Sequence, residues 1–402
     1  MSKSKVLFIV RSYGVDAPIG IRFKNIIKYL TDEYDVHILA YDYMNERTKT
    51  GAVKLHLLQY SFLSKILNKN YFFSQYKNTI FGKAMGLLNI IVRKWMYPDD
   101  FIIEKNKIIN KVIELNEKYN YRVVIGAAYP FTMFEIGQEL KKNELGFKWI
   151  VDIGDPFAEN STHNFTKSGK IKAEKYEESN LSFSDAIVVT NLITKKMYKN
   201  KYKTLDSKNI VIIPQGTDLI EDYGNHNSGS HGLKLIYAGV FYPQLREPYQ
   251  LFKAIDECKE KVRLDIYGQP NIYGVKNDKI KFRGRVSHEE IFNAYNSANV
   301  LVFIDNAFGL QSSGKIFELI SMKKPILFIS DNINSPTLEL IGEHNFIIQT
   351  KNNASDIKIA LENIEQEKNK FVFDFNMETV SWEERARRYR KLLDELLDEE
   401  KK

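Results

Sequence analysis

One cysteine in 402 residues, Cys258, leaves no disulfide framework and no cysteine-rich metal site, and it suits a reducing compartment. Long apolar runs are missing as well: no stretch approaches the roughly 18 uninterrupted apolar residues of a spanning helix. The amino terminus passes from Met1-Ser2-Lys3-Ser4-Lys5 directly into Val6-Leu7-Phe8-Ile9-Val10 and then Arg11. That run is long enough for a strand and too short for a secretory signal, so the expected location is the cytoplasm. The dinucleotide fingerprint G-x-G-x-x-G is absent. No D-x-D segment follows a strand, so neither a metal nor another cofactor is expected. A dense basic stripe with interleaved aromatics is missing from the second half, which argues against nucleic acid as a partner. The net charge of +7 is modest and favours anionic partners, nucleotides and acidic lipid surfaces among them.

What is present is a globular composition, 44% hydrophobic and 27% charged, in a chain too long for one core. Short apolar strands alternate with amphipathic helix-length segments, the pattern of parallel sheets covered by helices in an α/β protein. Strands are expected at 6–10, 36–40, 53–59, 122–127, 148–153, 186–190 and 210–213, then at 233–238, 262–267, 279–283, 299–304, 325–329 and 345–349. Phe23, Ile26, Ile27 and Leu30 mark the first crossover helix, and Leu251, Phe252 and Ile255 its counterpart in the second half. The polar, glycine-rich run 221–232 reads as a linker between domains at 1–220 and 233–375; its two isolated histidines seldom make a metal site. A last helix within 376–402 opens at Ser381 with Glu384 three residues on, a capping-box spacing, and is expected to pack back on the first domain. Trp382, Tyr389, Leu392, Leu393, Leu396 and Leu397 form its apolar stripe; Glu383, Arg385, Arg387, Arg388 and Asp394 read as its solvated face. The turns at 11–20, 239–246 and 309–315 all follow strands, and all can line one cleft between the domains.

The most specific chemistry lies in Ser312-Ser313-Gly314-Lys315-Ile316-Phe317-Glu318. Two serines and a glycine leave the backbone open, so N–H groups at a helix start can face an anion. Lys315 adds a positive charge, and Glu318 falls on the same helical face three residues later. A carboxylate there is badly placed for phosphate and well placed to accept two hydrogen bonds from a diol such as ribose. The plainer alternative is an ordinary loop and helix cap with a solvated Lys315–Glu318 pair.

Several segments, taken in order, resemble the GT-B glycosyltransferases of the large family 4 type over nearly the whole chain. They are Pro18-Ile19-Gly20-Ile21-Arg22, Asp152-Ile153-Gly154-Asp155-Pro156-Phe157, Ile212-Ile213-Pro214-Gln215-Gly216-Thr217-Asp218, Tyr237-Ala238-Gly239, Ile266-Tyr267-Gly268, Phe282-Arg283-Gly284-Arg285-Val286-Ser287 and Ser313-Gly314-Lys315-Ile316-Phe317-Glu318-Leu319. The resemblance implies two Rossmann-like parallel-sheet domains facing a cleft. It also implies that a sugar passes from a nucleotide-sugar donor to a hydroxyl of a glycan or lipid-linked acceptor, in cell-surface polysaccharide synthesis and with retention. By the same resemblance Glu318 holds the ribose, and Gly20, Gly239, Ser312, Ser313 and Gly314 bind the donor. Arg246 and Lys315 neutralise the leaving diphosphate, and Asp155 meets the acceptor hydroxyl. Relatives often carry two glutamates separated by seven residues; counting back from Glu318, the position of the other is Leu310, and Gln311 or a backbone group is the substitute considered. A non-transferring GT-B protein, either a nucleotide-sugar epimerase or a binding subunit, is the alternative.

Residues 61–105 mix Phe62, Leu63, Tyr71, Phe72 and Phe73 with Lys65, Lys69, Lys77 and Lys83. Apolar bulk with basic flanks fits a segment lying on the inner face of an anionic membrane, and fits a buried helical hairpin equally well.

Overall fold

The computed structural model describes residues 3–13, 17–41, 53–67, 96–219, 232–258, 261–367 and 371–398. The chain divides into two compact units, Met1–Pro214 with Trp382–Lys402, and Gln215–Ser381.

The first unit is built on seven parallel strands: β1 (Ser4–Ile9), β2 (Tyr34–Tyr41), β3 (Lys54–Leu58), β4 (Val123–Ala128), β5 (Lys148–Ile153), β6 (Ala186–Val189) and β7 (Asn209–Ile212). Their order across the sheet is β3-β2-β1-β4-β5-β6-β7. The helices described between them are α1 (Pro18–Lys28), α2 (Phe62–Leu67), α3 (Lys105–Tyr119), α4 (Met133–Lys142), α5 (Lys167–Leu181) and α6 (Leu192–Lys201). Pro18 starts α1, where its fixed φ and missing N–H are harmless, and Phe23, Ile26 and Ile27 face the sheet. Burial on both faces explains why a strand such as β4, all six residues of it buried, reads as an unbroken apolar run.

The second unit repeats the design with β8 (Leu233–Ala238), β9 (Val262–Tyr267), β10 (Ile280–Gly284), β11 (Val300–Ile304), β12 (Ile326–Ile329) and β13 (Ile347–Thr350). Their order is β10-β9-β8-β11-β12-β13, again parallel. Its helices are α7 (Tyr249–Glu257), α8 (His288–Ser297), α9 (Lys315–Ser321), α10 (Pro336–Ile341) and α11 (Ala354–Glu367). Every strand expected from the sequence forms, within two residues of the expected bounds.

The unit boundaries fall at 214/215 and 381/382, not at 220 and 375. The reason is a local pairing: the Thr217 N–H donates to the Val380 carbonyl at 3.0 Å, and Thr217 forms a parallel bridge with Ser381. Except for Gly232, the expected linker lies outside the described residues.

The last described helix is α12 (Trp382–Asp398), which packs in the first unit against α1. Phe8, Phe23 and Tyr389 form a ring triad with centroids 5.7–6.4 Å apart. The reading of Arg385 as solvated is corrected, because it is 2% exposed. It stands three residues after Trp382 and four before Tyr389, inside the apolar stripe, and a helix buries such neighbours together. Burial, with Arg388 and Arg22 nearby, pulls its pKa down to about 9.

Residues 68–95 of the aromatic, basic segment lie outside the described residues. At its start, Ser61 donates its N–H and hydroxyl to the buried Glu104 carboxylate at 2.9 and 2.6 Å, and Tyr41 donates at 3.0 Å. These bonds fix α2, whose Phe62 and Leu63 are 73% and 59% exposed.

A buried ion pair closes the first unit. Arg22 Nη2 lies 3.0 Å from Asp152 Oδ2, and its guanidinium also donates to the Ile213 and Pro214 carbonyls at 2.7 and 2.8 Å. Tyr389 of α12 donates to the same Asp152 oxygen. One carboxylate thus ties together α1, β5, the end of β7 and the last helix. Asp152→Asn leaves the Arg22 charge buried without its counter-ion, and the expected cost is about 3 kcal/mol. Urea titration of the first unit's transition reads it; an unchanged midpoint excludes a stabilising role for the pair.

Candidate functional site

In a parallel sheet wound outward in both directions, the strand ends where the winding reverses leave a crevice at the carboxyl edge. In the second unit this switch lies between β8 and β11. The loops leaving those strands, 239–248 and 305–314, carry most of the residues nominated from sequence.

The end of β11 organises both loops. The Asn306 side chain accepts from Arg246 Nη2 at 2.8 Å, and the Ala307 N–H donates to the Leu245 carbonyl at 2.8 Å. Asp305, 3% exposed, accepts from Ser335 Oγ at 2.5 Å and from Thr337 Oγ1 at 3.2 Å. Thr337 Oγ1 in turn accepts from the Ser313 N–H at 3.2 Å. Burial raises the Asp305 pKa, while the hydroxyls and the Arg246 charge oppose that rise.

Arg246 is half-buried, and its Nε has no hydrogen-bond partner among the described residues. It faces the Tyr237 phenol, which burial pushes up to about 12 against the pull of that arginine. Gly239 lies two residues beyond Tyr237, after Ala238. A Cβ there would stand 3.1 Å from the Tyr237 hydroxyl, so glycine leaves room for the phenol.

Lys315 and Glu318 meet on one face of α9, Nζ to Oε1 at 2.6 Å, with side chains 33% and 22% exposed. The ammonium also lies 5.4 Å over the Tyr295 ring. Burial, and then the Glu318 carboxylate, hold the Tyr295 phenol well above its ordinary pKa. The pair is therefore neither fully solvated nor isolated: it sits against a buried aromatic wall.

The open-backbone reading of 312–314 is modified. The N–H groups of Ser313, Ile316 and Phe317 donate to Thr337 Oγ1, Ser313 O and Gly314 O, so part of the helix start is satisfied internally. Gly314 has an ordinary helical φ of −63°, and what requires glycine is space: a Cβ would lie 2.8 Å from both Cβ and Cγ of Gln215.

Asp155 and Gly20 belong to the first unit. Gly20 is buried in the first turn of α1. Asp155 sits in the turn after β5, beside the β1/β4 switch of that sheet. Its turn is clamped: Thr190 donates to the Gly154 carbonyl at 3.0 Å, and the Phe157 and Ala158 N–H groups donate to Glu177 at 2.6 and 3.2 Å. Glu177 is fully buried and accepts from Tyr198 and Tyr202 as well.

Sequence reasoning missed Asp305, Asn306, Thr337, Tyr295 and Glu177, and named Tyr237 only as part of a matching segment. Asp305 had a signal, an acid ending an apolar strand as Asp152 does. Thr337 and Glu177 had none, since each acts across a gap in sequence.

Gly314→Ala forces the loop away from Gln215, with an expected loss of about 1–3 kcal/mol from overpacking. Thermal unfolding reads the loss, and Gln215→Gly added to Gly314→Ala should recover it; a stable single variant refutes the steric reading.

No protein-family model and no curated protein sequence matches this chain. Solved structures do. A sucrose-phosphate synthase from Thermosynechococcus elongatus is 12% identical, covers 98% of this chain and 100% of its own, and superimposes with a TM-score of 0.70. The Anabaena protein HepE in complex with UDP and glucose is 10% identical, with 98% and 100% covered and a TM-score of 0.63. The lipopolysaccharide outer core galactosyltransferase WaaB, in its apo form, is 10% identical, with 97% and 99% covered and a TM-score of 0.63. With so little sequence in common, what they share with this chain is backbone architecture: the chain has the GT-B fold.

Proposed function

We propose that the protein is a glycosyltransferase that moves a sugar from a nucleotide-sugar donor to a hydroxyl of a glycan or lipid-linked acceptor in cell-surface polysaccharide synthesis. The observation that carries the reading is the placement of Arg246, Lys315 and Glu318 around the β8/β11 switch, in a fold that also holds UDP and glucose in HepE. Glu318 receives the ribose hydroxyls, exchanging its bond with Lys315 for bonds to the ligand. Lys315, so released, and Arg246 then stabilise negative charge growing on the departing diphosphate. An arginine with an unmet donor suits the planar, two-oxygen face of a phosphate. Asp155, in its clamped turn, orients the acceptor hydroxyl or takes its proton. Retention of configuration belongs to the same proposal and rests on the resemblance to family 4.

No helix among the described residues is long and apolar enough to cross a membrane. Contact with an anionic membrane surface is part of the proposal, supported by the exposed Phe62 and Leu63 on α2.

The test is nucleotide release from UDP-, GDP- and ADP-sugars. Turnover of one donor is expected, and Glu318→Ala should weaken its binding by about 1.5–3 kcal/mol, the range for a charge-assisted hydrogen bond. Unchanged affinity in calorimetry removes Glu318 from the ribose. Appearance of an isomeric nucleotide sugar without net nucleotide release favours an epimerase instead.

We also propose that two side-chain cations do the work a metal would do. Among the described residues no cluster of three or more His, Cys, Asp or Glu residues could hold one. Turnover should therefore persist after dialysis against EDTA; loss of turnover that Mn²⁺ or Mg²⁺ restores refutes this.

A further inference from the structure

Asp305 is a buried acid next to a site read as binding an anion, an arrangement that calls for a reason. Its oxygens are committed to hydroxyls. Oδ2 accepts from Ser335 at 2.5 Å and from Ser330 at 3.3 Å, and Oδ1 accepts from Thr337 at 3.2 Å. Ser335 also caps α10, accepting from the Leu338 N–H at 3.1 Å, so its bond to Asp305 sets where that helix begins and where Thr337 stands.

Thr337 is fully buried. A hydroxyl has one proton to give. Because the Thr337 proton points at the carboxylate, its lone pair is turned towards the Ser313 N–H, 3.2 Å away. The carboxylate thus decides the direction of the hydroxyl, and the hydroxyl decides the position of the amide in the loop that precedes Lys315 and Glu318. On the other side of the crevice the next residue, Asn306, holds Arg246. One strand end therefore sets both the cation and the loop.

We infer that Asp305 and Thr337 are positioning residues: through Thr337 the Asp305 carboxylate holds the Ser313 amide, and with it the 311–314 loop, in the geometry that receives a nucleoside diphosphate. The inference rests on the donor reading above. It accounts for an acid where repulsion would be expected, since its charge is spent on three hydroxyl donors and screened by Arg246. Thr337→Val keeps the volume and removes the relay, and Thr337→Ser keeps the hydroxyl.

The experiment pairs two readouts on the full chain: calorimetric titration with UDP, GDP and ADP, and hydrogen exchange of amides 309–317. Thr337→Val should bind the preferred nucleotide about ten-fold more weakly, the equivalent of one hydrogen bond, and should exchange faster around Ser313. Thr337→Ser should restore both. Asp305→Asn should resemble Thr337→Val, and the double variant should be no weaker than either single one, since both remove the same relay. Parental affinity in Thr337→Val, failure of Thr337→Ser to rescue, or a double variant whose loss is the product of the single losses would each overturn the inference. Should Thr337→Val not fold, Thr337→Ala serves in its place. A parent chain that binds none of the three nucleotides overturns the donor reading itself, and with it this role. Faster exchange in Thr337→Val would in that case show the loop anchor without a nucleotide to serve.

Discussion

Parallel strands need crossovers, and crossovers that wind outward in both directions leave a single gap at the carboxyl edge of a sheet. The β8/β11 gap of the second unit is where Arg246, Gly239 and the 311–314 loop are assembled. The β1/β4 gap of the first unit has Asp155 on the neighbouring strand end. The side chains there are read as catalytic only because the winding leaves the backbone open at those points and closed along the rest of each sheet.

Charge burial follows a common logic across both units. Asp152, Glu177 and Asp305 are all hidden from water, a costly state unless the charge meets donors; Asp152 meets its donors through Oδ2 alone, Oδ1 having none among the described residues. Asp152 meets Arg22 and Tyr389 and ties the last helix to the first sheet. Glu177 meets two tyrosines and two backbone amides and clamps the Asp155 turn. Asp305 meets hydroxyls and orients the loop ahead of α9. In each case a single carboxylate replaces several weaker contacts and fixes elements distant in sequence. The second and third fix loops that carry the proposed chemistry.

Lys315 and Glu318 illustrate how a local motif gains meaning from its surroundings. On spacing alone they are an i,i+3 pair worth a few tenths of a kcal/mol on a helix surface. Packed against the buried Tyr295 ring and set beside the Asp305 relay, the pair holds a carboxylate and an ammonium in fixed positions, ready to exchange one another for a ligand.

The thirteen strands among the described residues, the helices marked by Phe23, Ile26 and Ile27 and by Leu251, Phe252 and Ile255, and the loops that leave the strand ends were legible in the sequence. Each is set by periodicity, turn residues and unbroken apolar runs within a few neighbouring positions. Gly314 was legible as a special position but for the wrong reason, because the side chain it must avoid, Gln215, is ninety-nine residues away by number and adjacent only in the fold. Arg385 looked solvated by its charge and is buried by its helical phase. The partnerships of Asp305 with Thr337, Asp152 with Arg22 and Tyr389, and Glu177 with Phe157 lie beyond any local pattern. Hydrophobic period and turn chemistry act over a few residues and so are written along the chain. Hydrogen bonds between distant side chains exist only once the sheets have brought their ends together, and that was decided by the tertiary structure alone.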